Sequence, residues 1–214
     1  MSQSFRALRV HQVPSGSEAR IERLTLNDLT DGDVVIRTRW AGINYKDSLA
    51  VSGKAKVLSG SVRIPGIELV GVVETSDSPH VAVGSDVRNF REGDVAAVGC
   101  LVDSCRTCPA CLDHEEQFCA GPATFTYNSS DPHIGGVTYG GYSNSLVVDE
   151  AFTLKVPNGL DLAGAAPLLC AGITTYSPLK HWNVREGQKV GVVGLGGLGH
   201  MAVKIARALG ARVV

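Results

Sequence analysis

The chain has 214 residues, and its 20 Lys+Arg against 21 Asp+Glu leave a net charge of −1. A hydrophobic share of 44% with 19% charged residues excludes a disordered or acidic solvating chain. Balanced charge gives no field to attract nucleic acid or an anionic membrane. No apolar run approaches a membrane span, and residues 1–10 lack the apolar core and small-residue cleavage site of a secretory leader. A cytoplasmic protein with no nucleic-acid or membrane partner is expected.

In chain order, residues 5–10, 20–24 and 34–41 read as short strands, with Asp31-Gly32-Asp33 as a turn before the third. Residues 45–51 predict one or two helical turns ended by Gly53. Ile64-Pro65-Gly66 reads as a turn, and residues 67–74 as a strongly β-prone run. Dense Pro/Gly punctuation with few long helical patterns predicts a compact β-barrel. Two similar Gly/Asp/Val phrases lie close together, at residues 81–87 and 93–99. They read either as consecutive hairpin turns or as the seam of a splice.

From Asp161 the texture changes to Ala, Leu and Gly. Residues 161–182 carry helical spacing, with an interruption expected at Gly172. Residues 189–193 form an apolar β-branched run, 194–199 a glycine loop, 198–209 a helix closed by Gly210, and 211–214 a second run. Strand, loop, helix, strand opens a βαβ unit. The expected architecture is mixed α/β, with a barrel over residues 1–157 and the start of a dinucleotide-binding domain over 158–214.

Five of the six cysteines lie between Cys100 and Cys119. The spacing Cys105-x2-Cys108-x2-Cys111-x7-Cys119 suits four thiolates closing a tetrahedral shell on zinc, within a lobe spanning residues 100–119. A closed shell folds a loop and does no chemistry. An iron–sulfur cluster is the rival, but the Cys-Pro that usually ends such runs is missing. The residues between the cysteines (Arg106, Thr107, Pro109, Ala110) read as small or turn-forming. Cys100 reads as buried core, and His114 as a surface imidazole in a polar stretch.

Gly194-Leu195-Gly196-Gly197-Leu198-Gly199 fits G-x-G-x-x-G in the context that gives the motif meaning, after a strand and before a helix. Gly194 would permit the tight turn, Gly196 the approach of a pyrophosphate, and Gly199 the packing of helix on strand. The rival is a plain glycine-rich βαβ turn. A ribose-reading residue is expected about 20 residues beyond the first glycine, so the residue that separates NAD from NADP is expected to lie beyond Val214.

These residues resemble the medium-chain dehydrogenase/reductase superfamily. Residues 86–214 are similar to the cinnamyl-alcohol-dehydrogenase type of zinc enzyme. The likeness is carried by Val98-Gly99-Cys100-Leu101-Val102-Asp103-Ser104-Cys105, by Gly140-Gly141-Tyr142-Ser143, by residues 166–176 and by the glycine loop through Met201. Residues 5–86 are similar to the acryloyl-CoA-reductase type of quinone reductase, through Ile43-Asn44-Tyr45-Lys46-Asp47-Ser48-Leu49-Ala50, Gly53-Lys54-Ala55-Lys56 and Ile64-Pro65-Gly66-Ile67-Glu68. A chimera spliced at the doubled phrase, and cut short in its nucleotide domain, is the expectation.

The resemblance implies a GroES-like barrel, a Rossmann domain, a structural zinc, NADP(H) in preference to NAD(H), a small-molecule substrate and homo-oligomers. It also implies a catalytic zinc, whose ligand positions fall on Asn44, Ile67 and Cys170, with Glu68 adjacent. Asn44 and Ile67 are not zinc ligands, so Glu68 and Cys170 are expected to be remnants and one zinc is expected, not two. Asn44 and Tyr45 stand where the quinone-reductase branch lines its nicotinamide pocket. Tyr45 either handles substrate there or packs half-buried on the barrel. Thr174 stands near the nicotinamide in the alcohol-dehydrogenase branch, or bonds its hydroxyl back to the helix. Alcohol/aldehyde interconversion is the main expectation, and zinc-independent enoyl or quinone reduction its rival. A third is an inert fragment, little activity being expected from this chain alone.

Overall fold

A computed structural model of the chain describes residues 4–29, 32–54, 62–74, 87–131, 133 and 136–214. It divides into two units, Met1–Ala166 and Pro167–Val214.

The first unit opens on an antiparallel hairpin of β1 (Ser4–Val13) and β2 (Gly16–Thr25), turning at Pro14-Ser15. Both strands outrun the apolar stretches expected at 5–10 and 20–24. A cross-strand polar pair sits in the extension, where Gln12 Nε2 donates to Ser17 Oγ at 2.9 Å, while Arg9 Nη1 donates to Glu22 Oε2 at 3.1 Å within the expected stretches. Next come β3 (Val34–Ala41) and α1 (Tyr45–Val51), both with the expected bounds. Asn44 caps α1 by accepting from Lys46 N, and Gly53 follows its end at φ +70°. The strand expected at 67–74 begins later, as β5 (Leu69–Glu74), after a short β4 (Val62–Arg63). Of the expected turn at 31–33, Gly32 and Asp33 are described, and Asp33 N donates to Val148 O at 3.2 Å. The first Gly/Asp/Val phrase lies outside the described residues apart from Val87.

The remaining barrel strands are β6 (Val95–Val98), β7 (Leu101–Asp103), β8 (Thr124–Phe125), β9 (Ser145–Val148) and β10 (Leu154–Lys155); the one-turn helix α2 (Pro109–Leu112) lies between β7 and β8. An antiparallel five-stranded sheet runs β10-β6-β5-β3-β9, a three-stranded one β2-β1-β4, and β7 pairs with β8. Side chains alternate across a strand, and β3 and β9 use both faces. Val34, Ile36, Leu146 and Val148 join one core with Leu69, Val73 and Phe90. Val35 and Val147 join the other, with Phe5, Leu24 and Ile64 from the hairpin side. Burial on both faces is why Val34-Val35-Ile36 and Leu146-Val147-Val148 are consecutive apolar residues.

The sequence texture shifts at Asp161 and the boundary is expected near Pro157, whereas the contacts divide after Ala166, because α3 (Leu162–Ala165) packs on β3 and β5. Asp161 caps α3 through Gly164 N at 2.9 Å.

In the second unit α4 (Ala171–His181) starts after a break at Cys170, not at Gly172. Gly172 is helical and buried, and a Cβ there would lie 3.0 Å from Leu168 Cβ, so this glycine serves close packing instead of interruption. Then β11 (Lys189–Val190), α5 (Gly197–Ala208) and β12 (Arg212–Val213) form the expected βαβ opening, with β11 and β12 parallel. Among the described residues no single helix is long and apolar enough to cross a membrane.

Candidate zinc centre and nucleotide loop

The four Sγ atoms of Cys105, Cys108, Cys111 and Cys119 all lie within 4.8 Å of one another. Cys105–Cys111 is 3.9 Å and Cys108–Cys111 is 3.5 Å. A regular tetrahedron of Zn–S bonds at about 2.3 Å has S–S edges of about 3.8 Å, so the group fits zinc. The fold of the loop makes this cluster. Arg106 and His114 sit at φ +58° and +60°, left-handed positions that reverse the chain beside the sulfurs. Backbone N–H groups then point at the sulfurs: Cys105 N at Cys119 Sγ (3.3 Å), Cys108 N at Cys105 Sγ (3.4 Å), Ala120 N at Cys108 Sγ (3.4 Å) and Gly121 N at Cys119 Sγ (3.3 Å). Such donors favour thiolates. Those of Thr107 and Cys108 bring the Cys105 thiol down to about 5, and that of Ala120 lowers Cys108.

The lobe is tied to the barrel by a residue the sequence reading treated as mere turn filler. Arg106 Nε donates to Asp103 Oδ1 and Nη2 to Asp149 Oδ2, both at 2.8 Å, and its guanidinium stands 5.8 Å over the Phe152 ring. The adjacency of Asp103 and Arg106 to Cys105 was the available signal. Cys100 is half-buried instead of core, and its carbonyl accepts from Thr126 N at 3.0 Å. His114 is exposed, as a surface imidazole should be.

In the glycine loop Gly194 has φ +86°, and Gly196 is the N-cap of α5 at an ordinary φ of −73°. A Cβ on Gly194, Gly196 or Gly197 would meet nothing within 4 Å, whereas one on Gly199 would fall 1.8 Å from Gly194 O. One glycine turns the chain and another lets the helix close on the loop, while Gly196 leaves an open approach to the helix N-terminus. The first-turn N–H groups of α5 have no intrahelical acceptor and suit a phosphate. Leu195 and Leu198 are exposed on this loop. Thr174 is an exposed residue of α4, and it is Thr175 whose hydroxyl bonds back, to Ala171 O at 2.8 Å.

The alcohol dehydrogenase GroES-like domain model matches residues 30–158. The chain belongs to that family, within the medium-chain dehydrogenase/reductase superfamily. It is 45% identical over 203 residues to the probable formaldehyde dehydrogenase AdhA of Bacillus subtilis (strain 168), covering 93% of this chain and 55% of that protein. It is 50% identical over 182 residues to NADP-dependent alcohol dehydrogenase C 1 of Mycolicibacterium smegmatis (strain ATCC 700084 / mc(2)155), covering 85% and 50%. A solved structure of CAD from Helicobacter pylori complexed with NADP(H) matches with a TM-score of 0.82 and 39% identity, over 100% of this chain and 58% of that one. The chain thus spans about half the length of these relatives. The 203-residue match to the probable formaldehyde dehydrogenase AdhA runs through residue 86, and the comparisons do not confirm a splice there.

At the positions the superfamily resemblance assigns to a catalytic zinc, the side chains do not fit one. Asn44 Oδ1 accepts from Lys46 N at 3.1 Å as the cap of α1, and its Nδ2 donates to Glu68 Oε1 at 3.3 Å. Ile67 is a buried hydrocarbon at the second ligand position. Cys170 is buried at the N-cap of α4.

Tyr45 is 76% exposed, which corrects the half-buried packing offered for it. The buried anchor beside it is Asp47, which no motif had singled out. Asp47 Oδ1 accepts from Gly66 N at 2.9 Å and Oδ2 from the Tyr142 hydroxyl at 3.2 Å, with Tyr127 a third donor. Burial raises the Asp47 carboxyl and, with the Asp47 charge, both tyrosines.

Proposed function

We propose that this chain carries the barrel and the opening of the nucleotide-binding region of an NADP(H)-dependent oxidoreductase that interconverts small alcohols and aldehydes by hydride transfer. The observation that carries the reading is the glycine loop: Gly194 left-handed, Gly199 closed on Gly194 O, and Gly196 open, on the same chain as an alcohol dehydrogenase barrel. Leu195, Gly197 and Leu198 complete the loop that would hold the pyrophosphate. The preference for NADP(H) rests on the names of the relatives. The barrel at 1–157 and the nucleotide region at 158–214 are kept as the proposed domains. Cys105, Cys108, Cys111 and Cys119 would hold one structural zinc, which folds the lobe and supplies no reaction chemistry. Four unpaired thiolates require a reducing compartment such as the cytoplasm.

A second reading is favoured by the hydrogen-bonded Asn44–Glu68 pair and by Ile67, which together leave no metal to polarise a carbonyl. In it, bound NADPH would supply hydride to the β-carbon of an activated alkene, with a proton delivered to the α-carbon. Tyr45, exposed at the start of α1, is the candidate donor, and Asn44 fixes the turn that presents it. Thr174 remains a candidate neighbour of the nicotinamide.

Purified chain should contain one zinc and bind NADPH saturably, read by fluorescence on the same sample. Absence of binding would remove the reading. With NADPH bound, turnover of aldehydes and not of enones supports the first reaction, and the reverse supports the second.

A further inference from the structure

Behind the cysteine lobe lies a cavity of about 20 Å³ lined by Asp103, Thr126, Asp131, Thr138, Leu146 and neighbouring residues. That exceeds the roughly 10–15 Å³ one water needs. Asp103 is 1% exposed. Its Oδ1 accepts from Ser104 N at 2.6 Å and from Arg106 Nε at 2.8 Å. Its Oδ2 is equally buried, and among the described residues nothing donates to it. Leaving a buried carboxylate oxygen bare is costly, so a donor is required.

The cavity wall also holds the Tyr139 hydroxyl, but among the described residues no wall group donates to Asp103 Oδ2. The Thr126 hydroxyl already donates to Gly99 O, and the Thr138 hydroxyl donates to Phe125 O at 2.8 Å. Asp131 Oδ1 is an acceptor, taking His133 N at 2.9 Å. What these groups offer inward is lone pairs, so the guest must bring protons and present two at once. Three carboxylates border the space, but Arg106 pairs with both Asp103 and Asp149, which weakens the case for a cation.

We propose that one resident water occupies this cavity, donating one hydrogen to Asp103 Oδ2 and the other to a threonine oxygen. It completes the carboxylate from which the cysteine loop hangs, and so belongs to the anchorage of the metal lobe. The proposal stands whatever reaction the enzyme performs, because no part of it involves the nucleotide loop.

A high-resolution crystal structure of the zinc-loaded chain tests it, with a parallel crystal soaked in thallium(I). The expected result is a single density about 2.5–3.0 Å from Asp103 Oδ2 without thallium anomalous signal. An empty cavity overturns the proposal, and so does a thallium peak, which would mean a monovalent cation. In solution, oxygen-17 relaxation dispersion should count one fewer long-lived water in Val148→Ile, which adds a methylene to the lining, with zinc content unchanged. An unchanged count in a folded variant also overturns it.

Discussion

Arg106 joins two carboxylates of different origin, Asp103 three residues before it and Asp149 43 residues after it. Removing the guanidinium leaves Asp103 buried with its charge uncompensated. Breaking a fully buried pair costs about 3–5 kcal/mol. The Arg106 side chain is 37% exposed, so screening brings the expectation for Arg106→Ala down to about 2 kcal/mol. Arg106→Lys should recover only part of this, since one ammonium cannot fork to two carboxylates. Urea unfolding of the zinc-loaded chain measures both, and equal stability of all three proteins would show the tether to be idle. Asp47 gives a prediction in pH. Its carboxyl is raised by burial, so between about 3.9 and the folded value the native state holds a proton that the unfolded state has lost. That contribution is full below the unfolded value and is lost as pH rises through the folded one. Asp47→Asn keeps one oxygen acceptor but replaces the other with an amide donor, so Gly66 N or the Tyr142 hydroxyl loses its acceptor, which should cost about 1–3 kcal/mol. The margin of wild type over variant should shrink with rising pH. A margin that grows would reverse the assignment of burial as the dominant cause.

The glycine loop separates folding from binding at the level of the βαβ element. Gly199→Ala drives a methyl onto Gly194 O and should destabilise the second unit by about 1–3 kcal/mol. Gly196→Ala meets open space at an ordinary φ, so folding should be unchanged, yet its methyl stands where the pyrophosphate approaches. NADPH affinity should fall about tenfold or more, ~1.4 kcal/mol. Circular dichroism melts with fluorescence titration distinguish the two, and identical behaviour would sink the division of labour. Elements with a local code were legible in the sequence. Gly53 marked the end of α1, and the Asp-Gly turn before residue 34 marked the start of β3. Elements shaped by distant partners were not. The hairpin runs past its expected stretches on polar cross-strand pairs such as Gln12 with Ser17, and Gly172 looks like a breaker until Leu168 is seen against it. Of the site, the cysteine spacing and the glycine motif were readable because each ligand set lies within one short segment. Arg106 was not, because Asp149 has no sequence relation to it.

Across the whole molecule the metal question reduces to which cysteines act together. Four sit in one loop with sulfurs within 4.8 Å, while Cys170 belongs to the second unit and Cys100 is half-buried beside the barrel. If the structural site is the metal site of this chain, the cost of losing a ligand must be confined to that loop. Cys119→Ser replaces a thiolate with a hydroxyl that zinc binds poorly, so zinc should drop well below one per chain and the lobe should lose its order. Cys170→Ser should leave zinc at one per chain, because Asn44 and Ile67 offer no partners for a second ion. Metal analysis after gel filtration, with limited proteolysis across the lobe, reads both. A wild type holding two zincs, falling to one in Cys170→Ser, would mean that a catalytic metal assembles despite Asn44 and Ile67. The alcohol-dehydrogenase chemistry would then regain its Lewis acid. One zinc in both proteins leaves the barrel to work through the nucleotide and its own side chains.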